Sequence, residues 1–255
     1  MIKFMPFLIF PALLFLGCGT PHNRVEIRGT CDTAYGTDST WIYVYGYETG
    51  NDLFIKDSCF VKNNRFTFRF DIPYENEYVI FAPQAKQFSL RHNLVLKPGD
   101  RLQVQLPDQE DIRDNPLDIP QSYATTAYRQ LKKNYTSSSQ KIARLTETQA
   151  LFPENSEKYN AYQDSINRMK KNHFLLPLRF LNNPKFNQSP YICFYSLVLL
   201  ERQVDSHRFD SLLKEKQQKF PDYPPLKEFK KPVPPETPQG KQARIRLEQL
   251  SKRSY

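Results

Sequence analysis

Cysteines and histidines have the widest chemical scope in this chain, because they can act as nucleophiles, general bases or metal ligands. The chain has 255 residues, with four cysteines and four histidines. No histidine lies at metal-ligand spacing from another histidine or from a cysteine. Asp57-Ser58-Cys59 sets a hydroxyl and a thiol beside a carboxylate, but no base accompanies them, and a strand edge explains the same residues. A glycine-rich phosphate loop, an HExxH pair and a Gly-x-Ser-x-Gly elbow are also missing. We therefore predict a protein that is not an enzyme, with no catalytic residue, metal or cofactor.

Cys18 has a different predicted use, because it follows a targeting segment. Lys3 precedes an apolar run over 4–16, which is shorter than the ~20 residues of a transmembrane helix. The sequence Leu14-Phe15-Leu16-Gly17-Cys18 resembles a bacterial lipobox, with Phe15 where leucine is commonest. The resemblance implies cleavage of a signal peptide, 1–17, lipidation of the Cys18 thiol, and a membrane-bound tether over 18–23. Because the tether has no acidic residue, the resemblance also favours an anchor on the periplasmic face of the outer membrane.

Three cysteines remain, an odd number for an oxidising compartment. Cys31 follows the first predicted strand and Cys59 lies in a later one, so a disulfide between them is geometrically compatible, although the spacing does not fix the pairing. Cys193 lies in an apolar helical run over 191–194 and is predicted to be a small buried hydrophobe.

The net charge of +9 is concentrated near the C-terminus, where residues 214–255 carry eleven Lys or Arg and five Asp or Glu. Outside the cytoplasm, nucleic acid is excluded as a partner. A basic end there favours anionic lipid headgroups, acidic glycans or an acidic protein, and a solvated basic face explains it equally well. The oligomeric state is not set by the sequence.

Short strands dominate residues 24–107, where about seven are separated by turn signals, and these predict a small antiparallel sandwich or barrel. In the predicted hairpin over 57–70, Phe66, Phe68 and Phe70 share one face, and Asn63-Asn64 supplies a loop that tolerates φ > 0. Lys97-Pro98-Gly99-Asp100 predicts a type II turn.

An aromatic stripe runs along the second predicted strand, where Trp41, Tyr43 and Tyr45 share one face. Exposed rings of this kind stack on sugars or peptides, so these three are candidate ligand-facing residues. Such a stripe more often belongs to a core.

A linker over 108–121 leads to a helical domain over 122–231, where the apolar period changes to 3.5. Two helices separated by a break at 153–155 predict an antiparallel hairpin, and Pro177 is expected to kink or shorten the second. Ser189-Pro190 and Asp205 predict the starts of two further helices. A proline-rich basic tail, 232–255, with room for a short helix, ends the chain. The predicted fold class is α+β, with the antiparallel sandwich or barrel first and a helical hairpin or bundle after it.

Three stretches resemble a family of periplasmic lipoproteins in which an N-terminal domain of unknown function and a helical segment precede a thioredoxin-like, thiol:disulfide interchange domain. They are Ile27-Arg28-Gly29, the hairpin at 57–68 and Leu96-Lys97-Pro98-Gly99-Asp100. Cys59 and Asn63-Asn64 depart from the family's commonest residues. The Trp-Cys-x-x-Cys motif of the thioredoxin-like part is missing, because the single tryptophan is Trp41 and no two cysteines are three residues apart.

These observations predict a lipid-anchored, periplasm-facing lipoprotein of the cell envelope that acts as a non-catalytic binding or accessory module. Its predicted partners are the membrane, through the N-terminal lipid, and an envelope protein, with thioredoxin-like lipoproteins implied by the resemblance. One alternative is an envelope glycan or peptide binding protein that uses the aromatic stripe. The other is a redox-active thiol protein.

Overall fold

The computed structural model describes residues 23–31, 40–47, 53–82, 90–106, 122–201 and 203–229, and they form two compact units, Met1–Ser122 and Tyr123–Tyr255. The first is built from β-strands and the second from α-helices, which confirms the predicted α+β class. The predicted signal peptide, Cys18, the linker over 108–121 and the tail over 232–255 lie outside the described residues.

Within the described part of the first unit, seven strands form two sheets that pack face to face as a β-sandwich. The strands are β1 (Arg24–Cys31), β2 (Trp41–Tyr47), β3 (Leu53–Phe60), β4 (Arg65–Asp71), β5 (Asn76–Ala82), β6 (Leu90–Leu96) and β7 (Arg101–Leu106). The three-stranded sheet has the order β4-β1-β7, and the four-stranded sheet has the order β3-β2-β5-β6.

One strand pair differs from the expected antiparallel arrangement, because β1 and β7 are parallel. The other pairs are antiparallel. A parallel pair needs a long connection, and here the other five strands provide it, since β1 is the first strand and β7 the last. Alternation of apolar and polar residues is the same for either direction, so the pattern could not reveal it.

The core lies between the sheets and follows the period-2 alternation of the strands. Phe66, Phe68 and Phe70 all point inward from β4, with less than a tenth of each side chain exposed. Ile42 and Val44 of β2 are buried opposite them in the same cluster. Burial of each such side chain contributes about 1.5–3 kcal/mol, so this cluster is the main source of stability of the sandwich.

The turn between β3 and β4 was predicted correctly, but the two strands do not form a hairpin. Asn63 and Asn64 adopt φ of 52° and 57°. An isolated backbone bridge between Lys62 and Arg65 closes the turn, and β3 and β4 belong to different sheets. The segment is therefore a corner of the sandwich, where the chain passes from one sheet to the other.

Side chains of β3 nevertheless hold β4, which lies at the edge of its sheet. The Asp57 carboxylate accepts the backbone N–H of Arg69 at 2.8 Å, and the sulfur of Cys59 accepts the N–H of Thr67. These bonds satisfy donors that an edge strand otherwise exposes to solvent. Asp57 and Cys59 thus have a structural role at the corner.

Two glycines occupy positions that disfavour any other residue, one because of its backbone conformation and one because of a close neighbour. Gly99 has φ of 85° at the third position of the 97–100 turn, and the Asp100 N–H donates to the Lys97 carbonyl at 3.1 Å, which confirms the predicted type II turn. Gly29 lies directly opposite Phe66, whose ring covers it so closely that a Cβ atom at residue 29 would overlap the ring.

The second unit contains a long antiparallel hairpin and three shorter helices. They are α1 (Tyr123–Gln149), α2 (Glu157–Asn182), α3 (Pro190–Leu200), α4 (Ser206–Lys219) and α5 (Pro224–Lys227). The Ser189 side chain accepts the N–H of Ile192 to cap α3, and the Asp205 side chain accepts the N–H of Arg208 to cap α4, as predicted.

The sequence predicted that Pro177 would kink or shorten α2. The helix continues through Pro177 to Asn182, so it is not shortened there. Pro177 itself is buried, and Leu178, Phe180 and Leu181 beyond it are buried as well. Burial of these three side chains outweighs the ~3 kcal/mol cost of a proline inside a helix.

Candidate functional site

The outer face of the four-stranded sheet carries an exposed cluster of rings, which we call the aromatic surface. Ile42 and Val44 of β2 point into the core, so the alternate residues Trp41, Tyr43 and Tyr45 point outward. Cross-strand neighbours on the same face complete the surface, and they are Phe60 and Ile55 of β3 and Phe81 of β5.

A β-bulge in β3 determines which residues of that strand reach the aromatic surface. Val44 pairs with Asp57, whereas the next residue, Tyr45, pairs with Ile55, so Lys56 is the extra residue. The bulge changes the phase of the strand, which turns Ile55 outward and leaves 54% of it exposed. Without the bulge, Lys56 would stand opposite Tyr45.

The rings of the surface support one another in edge-to-face and tilted contacts. Trp41 and Phe60 pack edge-to-face with ring centres 5.6 Å apart, and each side chain keeps 47% of its area exposed. Tyr45 contacts Phe81 at 5.8 Å and Tyr43 at 6.2 Å. Such contacts restrict the rotamers of the rings, so little conformational entropy remains to be lost when a ligand binds.

Polar groups lie at the margin of the aromatic surface and leave its centre apolar. Ser58 lies opposite Tyr43, and Asn93 lies opposite Val79 of β5. The Asn93 amide donates to the carboxylate of Glu77. An apolar centre of aromatic rings inside a polar rim is the usual anatomy of a protein-binding surface.

The three cysteines of the described residues are free thiols, so Cys31 and Cys59 do not form a disulfide in the structure. Burial, with a smaller contribution from the neighbouring Cys59, raises the pKa of Cys31 to about 12. Burial also raises the pKa of Cys59 to about 11. The Cys193 side chain is fully buried and its thiol contacts the Asn187 carbonyl oxygen. Because the thiolate is the reactive form, these environments oppose thiol exchange and argue against the redox alternative.

A serine and a histidine meet in the helical unit, where they form a half-buried side-chain hydrogen bond. Ser138 Oγ lies 2.6 Å from His173 Nδ1, and the Ser138 hydroxyl donates to the Tyr135 carbonyl at 2.9 Å. The Ser138 hydroxyl has one proton for these two acceptors, and which of them receives it depends on the tautomer of His173. The pair is a polar contact in the seam between α1 and α2.

Within the described ranges, no group of three or more His, Cys, Asp or Glu side chains is placed to hold a metal ion. In that part of the chain, none of the helices combines the length and the apolar character that crossing a membrane requires.

Sequence reasoning missed the polar face of the three-stranded sheet, where arginines from three strands come together. The carboxylate of Glu26 accepts hydrogen bonds from Arg28 of β1 and Arg69 of β4. Arg101 of β7 is the residue paired with Glu26 on the neighbouring strand. The sequence does show arginines among the outward-facing residues of three separate strands. Their proximity depends on which strands pair and in which register, and the alternation of polar and apolar residues does not determine either.

Comparisons of the chain with protein-family models, with curated proteins and with solved structures found no match.

Proposed function

We propose that the chain is a lipid-anchored, non-catalytic binding module of the bacterial cell envelope, and that its aromatic surface binds an envelope protein. The observation that carries this proposal is the exposure of Trp41 and Phe60 on a rigid sheet face. A contiguous exposed apolar patch with a polar rim is typical of an interaction site. Trp and Tyr side chains at the centre of such a site provide much of the binding free energy.

The anchor is proposed from the lipobox resemblance at 14–18. In this proposal, signal peptidase removes 1–17, the Cys18 thiol carries a diacyl lipid, and the module faces the periplasm from the outer membrane. Support comes from the apolar run of signal-peptide length, the small Gly17 before Cys18 and the tether without acidic residues. Intact mass measurement of membrane-extracted protein tests it. We expect the mass of 18–255 plus lipid, and an unmodified Cys18 would exclude the anchor.

The resemblance at 27–29, 57–68 and 96–100 guides the choice of partner. In this proposal, thioredoxin-like lipoproteins that share the N-terminal architecture are the first candidates, and this chain accompanies them without taking part in disulfide exchange. The raised pKa values of Cys31 and Cys59 support a role without thiol chemistry.

The experiment places a photo-crosslinking amino acid at Tyr43 in cells, with a matched probe at Leu151. Leu151 is 79% exposed in the helical unit and is the control for nonspecific contacts of an exposed apolar residue. We expect the Tyr43 probe to give a discrete protein adduct that Trp41→Ala with Phe60→Ala removes. Loss of a ring at the centre of an interface costs about 2 kcal/mol, or about 30-fold in Kd.

Two outcomes would overturn the assignment of a protein partner. Equal labelling from Tyr43 and Leu151 would show that the surface has no specific occupant. The second outcome is that no protein adduct forms, while immobilised cell-wall fragments retain the wild-type chain but not the double variant. That result would establish glycan binding instead.

A further inference from the structure

The outer face of the three-stranded sheet is strongly basic, and we call it the arginine surface. The strands β1, β4 and β7 contain five arginines and no lysine. All five arginines alternate with inward-facing residues and are exposed, and they are Arg24, Arg28, Arg65, Arg69 and Arg101. The two acidic residues of the face are Glu26 and Asp71, so its net charge is +3.

Glu26 organises the centre of the arginine surface. Its Oε1 atom accepts hydrogen bonds from Arg69 Nη2 at 2.8 Å, Arg69 Nε at 3.0 Å and Arg28 Nε at 3.1 Å. These bonds from Arg69 and Arg28 hold the pKa of Glu26 below its ordinary value. One carboxylate thus positions two guanidinium groups, and 64% of the Arg28 side chain and 55% of that of Arg69 remain exposed.

A surface cleft lies over the paired strands β1 and β7 beside this cluster. Its volume is about 180 Å³, and it is lined by Glu26, Arg28, Arg101, Leu102 and Gln103. That volume is several times the ~30 Å³ occupied by one water molecule in the liquid, so a phosphate-sized group can enter. Arg28 and Arg101 contribute two guanidinium groups against the single carboxylate of Glu26. Guanidinium binds phosphate oxygens through two parallel hydrogen bonds, which the ammonium group of lysine cannot do.

The position of β1 in the chain brings this face close to a membrane if Cys18 is lipidated. Arg24, the first residue of β1, is six residues after Cys18. Six residues span at most about 22 Å even when fully extended, so the tether keeps the sheet beside the headgroups. Tethering supplies a high effective concentration, and each arginine near an anionic leaflet strengthens binding about fivefold.

We propose that the arginine surface docks on anionic phospholipid headgroups of the membrane that holds the anchor, with one headgroup phosphate in the cleft between Arg28 and Arg101. This inference rests on the proposed lipid anchor. It assigns the two faces of the sandwich to different occupants. The arginine surface lies on the membrane, and the aromatic surface on the opposite sheet is left to face a partner.

The test measures partitioning of the mature polypeptide, residues 18–255 with Cys18→Ser, onto vesicles. One vesicle preparation contains phosphatidylglycerol mixed with phosphatidylcholine, and the other contains phosphatidylcholine alone. Arg28→Gln with Arg101→Gln removes two charges from the cleft. Arg144→Gln with Arg168→Gln removes two charges from exposed positions of the helical unit and is the matched control. Circular dichroism verifies the fold of each variant.

We expect binding to the phosphatidylglycerol vesicles only, lowered about 25-fold by the cleft variant and much less by the control. Arg28→Lys with Arg101→Lys keeps the charge and should still lower binding severalfold, because bidentate contacts are lost. Equal partitioning onto both vesicles, or equal losses in the cleft and control variants, would overturn the proposal. Complete competition by millimolar inorganic phosphate would assign the cleft to a soluble anion instead. An unmodified Cys18 would remove the anchor but leave this partitioning unchanged, so the two failures are distinguishable.

Discussion

Gly29→Ala should destabilise the sandwich, although alanine normally favours folding over glycine. Gly29 faces the core opposite Phe66, and the Phe66 ring, only 3% exposed, covers the position where a Cβ would stand. The added methyl group must therefore displace a buried ring.

The magnitude follows from two opposing effects. Replacing glycine with alanine restricts the unfolded chain and contributes about 0.4–1 kcal/mol in favour of folding. Over-packing a well-filled core costs about 1–3 kcal/mol, and the Phe66 ring has little freedom because it packs on Phe68 with ring centres 5.5 Å apart. We expect a net loss of about 1–2 kcal/mol. At a typical dependence of about 2 kcal/mol per molar urea, the unfolding midpoint would fall by about 0.5–1 M.

A double-mutant cycle separates this steric effect from a general weakening of the strand. Phe66→Leu removes the far edge of the ring, so Gly29→Ala with Phe66→Leu should cost at least 1 kcal/mol less than the sum of the single changes. Phe70→Leu is the matched control, because Phe70 faces the same core opposite Val25, and its combination with Gly29→Ala should be additive. Fluorescence of the single tryptophan, Trp41, reports unfolding of the sandwich in urea. Additive behaviour at Phe66, or stabilisation by Gly29→Ala, would refute the reasoning.

Three further predictions concern the turn, a helix cap and pH. Asn64→Ala should cost about 1–2 kcal/mol because residue 64 has φ of 57°, whereas Asn64→Gly should be neutral or stabilising; urea midpoints of the two variants decide. Ser189→Ala should cost the helical unit about 1 kcal/mol by removing the bond to the Ile192 N–H, measured by far-UV circular dichroism in urea. Burial lowers the pKa of His173, so the unfolded chain binds the proton more tightly and the helical unit loses stability as the pH falls below about 6.5. His173→Gln should weaken this pH dependence, and an unchanged difference in urea midpoint between pH 7 and pH 5 would contradict the assignment.

Local structure was predictable where one or two residues determine the backbone. The Asn63-Asn64 turn, the Pro98-Gly99 turn and the caps at Ser189 and Asp205 were all predicted and are present. Each depends on conformational limits or hydrogen bonds within four residues, which the sequence expresses directly.

Long-range arrangement was not predictable in the same way. The alternation in β4 identifies a half-buried strand, but it does not say that β4 joins β1 while β3 joins β2. Trp41, Tyr43 and Tyr45 were predicted to share a face and do so. Their neighbours on the aromatic surface depend on a bulge at Lys56 that the pattern does not show.

The side-chain bonds from Asp57 and Cys59 to β4 have a consequence for self-association. An edge strand with free N–H groups can recruit a strand from another molecule, which is a common route to fibrils and swapped dimers. At β4 two of those donors, on Thr67 and Arg69, already bond within the chain. Under the proposed lipid anchor, copies would be concentrated on a two-dimensional surface, where such recruitment is favoured by high local concentration. The corner between the sheets therefore also keeps neighbouring copies from adding their strands at this edge.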